Sequence, residues 1–370
     1  MKIGIDASRY LSEESTGVEW YSYFIINGLL KLFKHSDNEL VLYSRYPIKI
    51  KETDNIKNNV LRSKRFWSLL RLSKEMREKP PDTLFVPSHV LPLSLPQKSV
   101  IVIHDTAFKH FRKVYSTAEY RYLNWSTKRA VSSSTKIITP SKSTKKDLLE
   151  LYNCDESKIE VIYHGFTPPK FSEKEIDEIN HSSDMIKFFS INKPIPYFFF
   201  VGRLESKKNI ENTIRAFKQF SEQHPNYKFV LAGKRGNGIK RIVKAIHELK
   251  LTDKVIMPGY ITEKEKAYLY KNCKAFIFPS FYEGFGLPIL EAFYFGKPVL
   301  TSNVSSLPEV GGDACLYVNP TNVESIAERM SVLAEDEKKV QELTEKGKMR
   351  LDKFNWEETS RKTFDLLMNA

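Results

Sequence analysis

The stretch FTPPKFSEKEIDEINHSSDMIKFFSINKPIPYFFFVGR, residues 166–203, decides whether this chain folds around one sheet or two. Its first thirty residues are polar and proline-flanked, with no strong apolar period. They read as a connection between domains, centred on 181–196. The run YFFFVGR at 197–203 then starts a new buried strand. Everything after it repeats, in outline, what stands before it.

Upstream, short apolar runs alternate with helical patterns. KIGIDA, ELVLYS (39–44), DTLFVPS (82–88), SVIVIHD (99–105), TKIITPS (135–141) and KIEVIYHG (158–165) read as strands. GVEWYSYFIINGLLKLF (17–33) has helical spacing, with Trp20, Phe24, Ile25 and Leu29 on one face. Downstream, KFVLAGK (228–234), KVIMPGY (254–260), AFIFPSF (275–281), PVLTSN (298–303) and ACLYV (314–318) are strands separated by helices. Strand–helix alternation on both sides of a connection predicts an α/β chain of two doubly wound parallel-sheet, Rossmann-like domains facing across a cleft. The expected division is 1–180, a linker at 181–196, 197–354, and a final helix over 355–370 packing back toward the first domain.

The 370 residues suit two ordinary domains, and 41% hydrophobic with 12% aromatic residues is enough for two cores. The N-terminus reaches Asp6 without the apolar run of a signal peptide, and no stretch approaches a membrane span. A cytoplasmic protein is expected. Cys154, Cys273 and Cys315 lie far apart without paired ligands and read as small buried hydrophobes. The net charge of +13 suits nucleic acid, an anionic membrane surface or an anionic small ligand, and charge alone does not choose.

The motif with most chemical content is FYEGFGLPILEAFYFGKPVLTS, residues 281–302. Glu283 and Glu291 flank a small loop, Gly284-Phe285-Gly286-Leu287-Pro288. Pro288 suits the first turn of a helix, whose unpaired N–H groups and positive dipole end favour an anion such as a diphosphate. Carboxylates repel phosphate, so the two glutamates suit hydroxyls on either side of it. A nucleotide sugar has that layout. Cations for the diphosphate are expected from VGRLESKKN (201–209), where Arg203 follows a strand and Lys208 opens the next helix.

On these residues the chain resembles the retaining glycosyltransferases of family 4, which have the GT-B fold. The matching segments are GRLESKKN, LAGKRG, the run from MPGYITEKEKAYLYKN to LYVNP with its E-x7-E pair, and the closing FNWEETSRK. Looser matches in the first half (GIDASRY, STGVEWYS, HDTAF, IITPSKST, VIYHGF) resemble bacterial mannosyltransferases of surface polysaccharides. The resemblance implies that Glu291 holds the donor ribose. Glu283 binds the donor hexose, and Arg203 and Lys208 neutralise the diphosphate. Backbone N–H groups of Phe285, Gly286 and Leu287 meet sugar or phosphate, and Tyr260 and Ile261 lie against the base. His104 approaches the donor sugar, and Gly17 lets the first loop come close to the diphosphate. Read on its own, His104 serves a cleft or a helix cap equally well, and Asp105 reads as a turn or cap residue.

No D-x-D triplet occurs, so no metal and no cofactor is expected. The donor expected first is GDP-mannose, then a UDP sugar; the acceptor is a glycan or lipid-linked glycan. Nucleic acid is not an expected partner; the absence of G-x-x-x-x-G-K-[ST] argues against a helicase-type ATPase, and the absence of G-x-G-x-x-G after the first strand argues against a Rossmann dehydrogenase. The basic segment LRSKRFWSLLRLSKEMREK (61–79) reads either as a surface helix, with Phe66, Leu69, Leu70 and Met76 on one face, or as contact with anionic lipid on the inner face of the cytoplasmic membrane. A nonhydrolysing sugar-nucleotide epimerase and a catalytically silent nucleotide-sugar binder remain as alternatives.

Overall fold

The computed structural model describes residues 1–10, 17–63, 66–88, 90–181 and 195–370. They form two compact units, Met1–Gly165 with Phe354–Ala370, and Phe166–Lys353.

The first unit is built on strands β1 (Lys2–Asp6), β2 (Glu39–Ser44), β3 (Ile56–Val60), β4 (Thr83–Val86), β5 (Lys98–Val102), β6 (Lys136–Thr139) and β7 (Ile159–Val161). They lie in the order β3-β2-β1-β4-β5-β6-β7, and the β1–β2 and β1–β4 pairs, like the rest, are parallel. Alternate residues of β2 feed opposite cores: Leu40 and Leu42 join one cluster, Val41 and Tyr43 the other. A sheet covered on both faces needs apolar residues at every position, which is why these strands read as unbroken runs. β3 (IKNNV) is the exception and was not expected from the sequence. It is an edge strand with two asparagines, and Asn58 binds the Ser44 hydroxyl at 2.9 Å.

Helix α1 (Gly17–Phe33) buries Tyr21, Ile25, Ile26, Leu29 and Phe33 against this sheet. The last helix, α14 (Trp356–Asn369), packs on α1. The Asn355 side chain caps it by accepting from the Glu358 N–H at 2.7 Å. Gly28 makes the close crossing possible, because a Cβ there would overlap the Ser360 side chain. Trp356 stacks on Phe24 with ring centroids 5.1 Å apart, and Leu367 enters the core.

The second unit carries β8 (Tyr197–Val201), β9 (Lys228–Ala232), β10 (Val255–Gly259), β11 (Ala275–Phe278), β12 (Val299–Ser302) and β13 (Cys315–Val318) in the order β10-β9-β8-β11-β12-β13, again parallel. Between them run α7 (Ile210–Gln223), α8 (Ile239–Glu248), α9 (Glu263–Asn272), α10 (Leu287–Tyr294), α11 (Leu307–Gly311), α12 (Val323–Glu335) and α13 (Glu337–Leu351). Both sheets reverse direction of growth once, between β1 and β4 and between β8 and β11. Parallel α/β sheets hold ligands at the carboxyl ends of the strands flanking such a reversal.

The boundary between the units falls at Gly165/Phe166, earlier than the expected 180. A short helix, α6 (Glu173–Asp177), places Ile176 against Ala267 and Tyr268 of α9, with Ile179 in the same cluster. Lys271 holds Asp177 at 2.9 Å. Most of the expected linker, 182–194, lies outside the described residues. The three cysteines are free and buried.

Candidate active site

Three adjacent strands of the second unit end in glycine. Gly202 after β8, Gly233 after β9 and Gly259 at the end of β10 all have positive φ, at 153°, 135° and 81°. A Cβ on Gly233 would overlap the Gly202 carbonyl oxygen, so the two backbones touch because Gly233 carries no side chain. The carboxyl edge of the sheet is thereby left as bare backbone. Arg203 follows Gly202, is exposed, and makes no ion pair among the described residues.

Lys208 ends a 3-10 turn, Ser206–Lys208, and Asn209 turns the chain into α7 through a left-handed conformation at φ 58°. Asn209 is locked in place by donating to the carbonyls of Pro279 and Pro320 at 3.0 and 2.6 Å. This ties the β8–α7 connection to the end of β11. Lys208 crosses the reversal point. Its Nζ donates to both oxygens of Glu283, at 2.6 and 2.8 Å, and lies 5.1 Å from the centre of the Phe278 ring. Glu283 is only 9% exposed. The expected separation of roles, a cation on phosphate and a carboxylate on sugar, is therefore joined here in one bidentate pair.

The loop between the glutamates is fixed from below. The Ser305 and Ser306 hydroxyls both donate to the Glu283 carbonyl, at 2.5 and 2.9 Å, and Ser306 also reaches the Phe285 carbonyl at 2.7 Å. Phe285 is buried, and Gly286 (φ 121°) sets the entry to α10, whose first turn contains Pro288. Leu287 is half-buried. The loop is thus a pre-shaped turn ending at a helix N-terminus, as its sequence suggests.

Glu291 sits one turn into α10. Its Oε1 accepts from Lys266 Nζ at 2.7 Å and its Oε2 from the Tyr270 hydroxyl at 3.0 Å. Both donors lie on α9, four residues apart and so on one face. Burial alone would push the Lys266 ammonium down, but Glu291 and Glu263 outweigh it and hold its pKa above the ordinary lysine value. Burial, then Glu291, pushes the Tyr270 phenol up. A cavity of about 60 Å³ opens beside this group, lined in part by Phe166, Glu263 and Phe295. Lys266 and Tyr270 were missed as site residues: EKEKAYLYKN reads as an ordinary charged helix, and its partner is 25 residues away.

Tyr260 is exposed, with Lys234 Nζ 4.8 Å from its ring centre. Ile261 is buried, so its side chain does not present an open face to a base. In the first unit, His104 follows β5 and is buried, with Nε2 2.9 Å from the Pro87 carbonyl. Its ring stands edge-on to Tyr21 at 4.9 Å and to His164 at 5.5 Å. Burial, then His104, pushes the pKa of His164 well down. Asp105 accepts from the Ala107 N–H at 3.0 Å, as a turn residue leading into the next short helix. Gly17 is the first residue of α1 and has open space around it. His89, Lys64 and Arg65 lie outside the described residues.

Residues 34–168 match the family model described as Glycosyltransferase Family 4, and residues 182–350 match Glycosyl transferases group 1. The chain belongs to the glycosyltransferases. It is 28% identical over 280 residues to the O-antigen chain mannosyltransferase B of Escherichia coli, covering 75% of this chain and 72% of that one. It is 34% identical over 192 residues to the serotype-specific mannosyltransferase WbdA of Escherichia coli, covering 50% of this chain but 24% of the relative. The structure of Anabaena Alr3699/HepE in complex with UDP and glucose is similar over 100% of both chains, with a TM-score of 0.72 at 18% identity. The glycosyltransferase has the GT-B fold that its sequence suggested. Among its described residues no helix is long and apolar enough to cross a membrane.

Proposed function

We propose that this glycosyltransferase moves a hexose, mannose in the first instance, from a nucleotide diphosphate sugar to a glycan or lipid-linked glycan during synthesis of a cell-surface polysaccharide. The observation that carries the reading is the cluster at the β8/β11 reversal. There the Lys208–Glu283 pair and the loop before α10 meet beside a glycine-lined backbone edge, with Arg203 next to Gly202 along the chain. The names of the mannosyltransferase relatives support mannose, hence GDP-mannose as donor. The UDP complex of the Anabaena protein keeps a UDP sugar as second choice.

Arg203, Lys208 and the α10 N–H groups then stabilise the departing diphosphate. A cation about 4 Å from a phosphate charge contributes roughly 4 kcal/mol at an effective dielectric near 20. With such cations in place the reaction proceeds without a divalent metal. In a retaining transfer the bond from the anomeric carbon to the phosphate oxygen breaks. The acceptor oxygen bonds to the same face, and its proton passes to the departing phosphate. Glu283 holds the hexose, Glu291 the ribose, Tyr260 and the Ile261 backbone the base; His104 and Gly17 serve the donor from the first unit.

The segment after β3 supports peripheral attachment to the inner face of the cytoplasmic membrane. A π-helical stretch, Trp67–Leu72, precedes α2 (Ser73–Glu78). The wider turn shifts the expected face: Trp67, Leu72 and Met76 are buried, while Phe66 and Leu70 are 66% and 57% exposed. The Leu93 N–H binds Ser73 at 2.6 Å, and Arg129 binds the Leu93 carbonyl at 2.6 Å. These bonds place the exposed Leu93 beside Ser73 and Arg129, one turn after the exposed Trp125 of α4 (Thr117–Ser133); Arg71 and Lys74 pair with Glu75 and Glu78, and Lys128 is exposed. Exposed apolar residues set among cations suit an anionic lipid surface.

Thermal shift with GDP-mannose, UDP-glucose and UDP-N-acetylglucosamine tests the reading: a donor at 100 times its Kd adds about 2.7 kcal/mol of stability. Transfer activity that survives EDTA is the expected companion result. No shift with any nucleotide sugar overturns the proposal, and binding with no transfer to any acceptor leaves the silent binder.

A further inference from the structure

The loop that carries Glu283 is held through a helix that supplies none of the proposed donor contacts. Ser305 and Ser306 stand directly before α11 and grip that loop. The Ser305 hydroxyl donates to the Glu283 carbonyl and also accepts from the Glu283 N–H at 3.0 Å. Ser305 does this in a left-handed conformation, φ 59°, which a serine keeps only where its surroundings enforce it. Leu307, the first residue of α11, is fully buried, and a Cβ on Gly286 would stand 3.2 Å from its side chain. Three consecutive residues thus touch the turn between Glu283 and α10, so a shift of α11 reaches Glu283.

α11 has only five residues, too few to hold itself in place. Its far end is fixed by α13. Arg350, in the last turn of α13, donates through Nε to the Val310 carbonyl at 2.6 Å and through a terminal nitrogen to the Glu309 carbonyl at 2.5 Å. Such carbonyls at a helix end lack partners within the helix. Gly312 makes the approach possible: a Cβ there would overlap the guanidinium, and its φ is 57°. One turn earlier on α13, Gly347 lies so close to α10 that a Cβ would overlap the Phe293 ring. α13 therefore holds α10 at Gly347 and α11 at Arg350, and the first residues of both helices meet at the Glu283–Gly286 turn.

A guanidinium offers two donors in a fixed fork to two adjacent carbonyls, a fit that an ammonium cannot match. We propose that Arg350 is a positioning residue for Glu283: through α11 and its two serines it fixes the backbone from which that carboxylate projects. The inference rests on the proposed function in taking Glu283 to hold the donor hexose. A displacement of about 1 Å caused far from the chemistry can slow an enzyme roughly a hundredfold.

The Glu283 N–H, bonded to Ser305, reports its own freedom. Hydrogen exchange at that amide is followed by NMR on the full chain in wild type, Arg350→Gln and Arg350→Lys. The Phe276 amide, bonded to the Pro298 carbonyl, is the reference. Nucleotide release from GDP-mannose and from UDP-glucose, with methyl α-mannopyranoside as acceptor, and calorimetry with free GDP and UDP are run on the same samples, at a temperature where each is folded. Exchange at Glu283 should be about tenfold faster in Arg350→Gln, less so in Arg350→Lys, and unchanged at Phe276. The kcat should fall roughly ten- to a hundredfold in Arg350→Gln and be partly restored in Arg350→Lys, while the free diphosphates bind within about twofold of wild type. If Arg350→Gln does not fold, Arg350→Lys carries the same comparison. Unchanged exchange at Glu283, or an equal rise at Phe276, overturns the inference, and so does a kcat that stays put while exchange at Glu283 rises. Wild type that turns over neither nucleotide sugar, with the exchange pattern intact, counts against the donor reading and leaves the hold of Arg350 on Glu283 standing.

Discussion

Replacing Glu283 by Gln keeps the shape of the side chain and removes its charge, and the Lys208 geometry sets the cost. Both carboxylate oxygens accept from one ammonium, at 2.6 and 2.8 Å. Glutamine presents one carbonyl oxygen and an amide that cannot accept. A bond to a charged group is worth roughly 1.5–3 kcal/mol and a neutral one about 1. One bond is lost and the other weakened, and the freed ammonium recovers part of the loss from water. The net cost is about 2 kcal/mol, or roughly 4–8 °C in Tm for a unit of this size. The same change releases Lys208 for a diphosphate. GDP and UDP should therefore bind Glu283→Gln as tightly as wild type, or up to about tenfold tighter, while kcat for transfer falls. Glu291→Gln is the contrast. It loses the acceptor of either Lys266 or Tyr270 and, in the proposed role, the charge on the ribose hydroxyls. Nucleotide affinity should drop about ten- to a hundredfold. Calorimetry with the free diphosphates and differential scanning fluorimetry read both. If Glu283→Gln loses nucleotide affinity as Glu291→Gln does, with Tm unmoved, Lys208 is not the diphosphate cation and the site has been assigned the wrong way round.

Three other perturbations reach different parts of the molecule. Leu70→Asp or Phe66→Asp should weaken binding to vesicles containing anionic lipid, and binding should fall with salt; equal binding to neutral vesicles refutes the lipid surface. Gly233→Ala places a Cβ on the Gly202 carbonyl at φ 135°, so a loss of about 3 kcal/mol in denaturant titration is expected, and a loss below about 1 shows that the strand ends can relax. His110 hydrogen-bonds Asp147 at 3.2 Å, and that bond raises its pKa against the smaller opposing effect of burial. A raised histidine pKa stabilises fully below the unfolded value near 6.5 and is lost as pH rises through the folded value. His110→Gln should thus cost more stability at pH ~5.5 than at pH ~8.5; an equal cost at both shows the ion pair to be idle.

The strands were legible because a doubly covered sheet demands unbroken apolar runs, and YFFFV or KIIT serve no other purpose as cheaply. β3 was hidden for the same reason: an edge position satisfied by Asn58 and Asn59 side-chain hydrogen bonds shows no such run. The boundary at 166 was hidden because α6 is too short to display a period. Only Ile176 and the following Ile179, seen against Ala267 and Tyr268, show which unit owns it. In the 61–79 segment the apolar residues were visible, but their face was not. One π-helical turn rotates Leu70 outward and Trp67 inward, and nothing in a hydrophobic pattern announces a change from 3.6 residues per turn.

The candidate site was legible in its parts and not in its pairing. Glycines, prolines and carboxylates at fixed spacing reveal a helix entry with a loop before it, since those residues act on their own backbone. Ion pairs between Lys208 and Glu283, or Lys266 and Glu291, join separate elements, and sequence spacing carries no trace of them. Their effect on the chemistry is nonetheless large. Glu283 stands paired with Lys208, and Glu291 shares Lys266 with Glu263, so the carboxylates repel an arriving diphosphate less than bare charges would. Arg203, without an ion-pair partner among the described residues, adds one exposed cation beside Gly202. In the proposed reaction, a diphosphate that draws Lys208 toward itself would loosen Glu283 at the same moment, and the released oxygens would become acceptors for the hexose hydroxyls. Binding of the anion and capture of the sugar are then one event rather than two. A sugar without its diphosphate should accordingly find the donor side closed, whereas the diphosphate without its sugar should bind and leave Glu283 as an open acceptor.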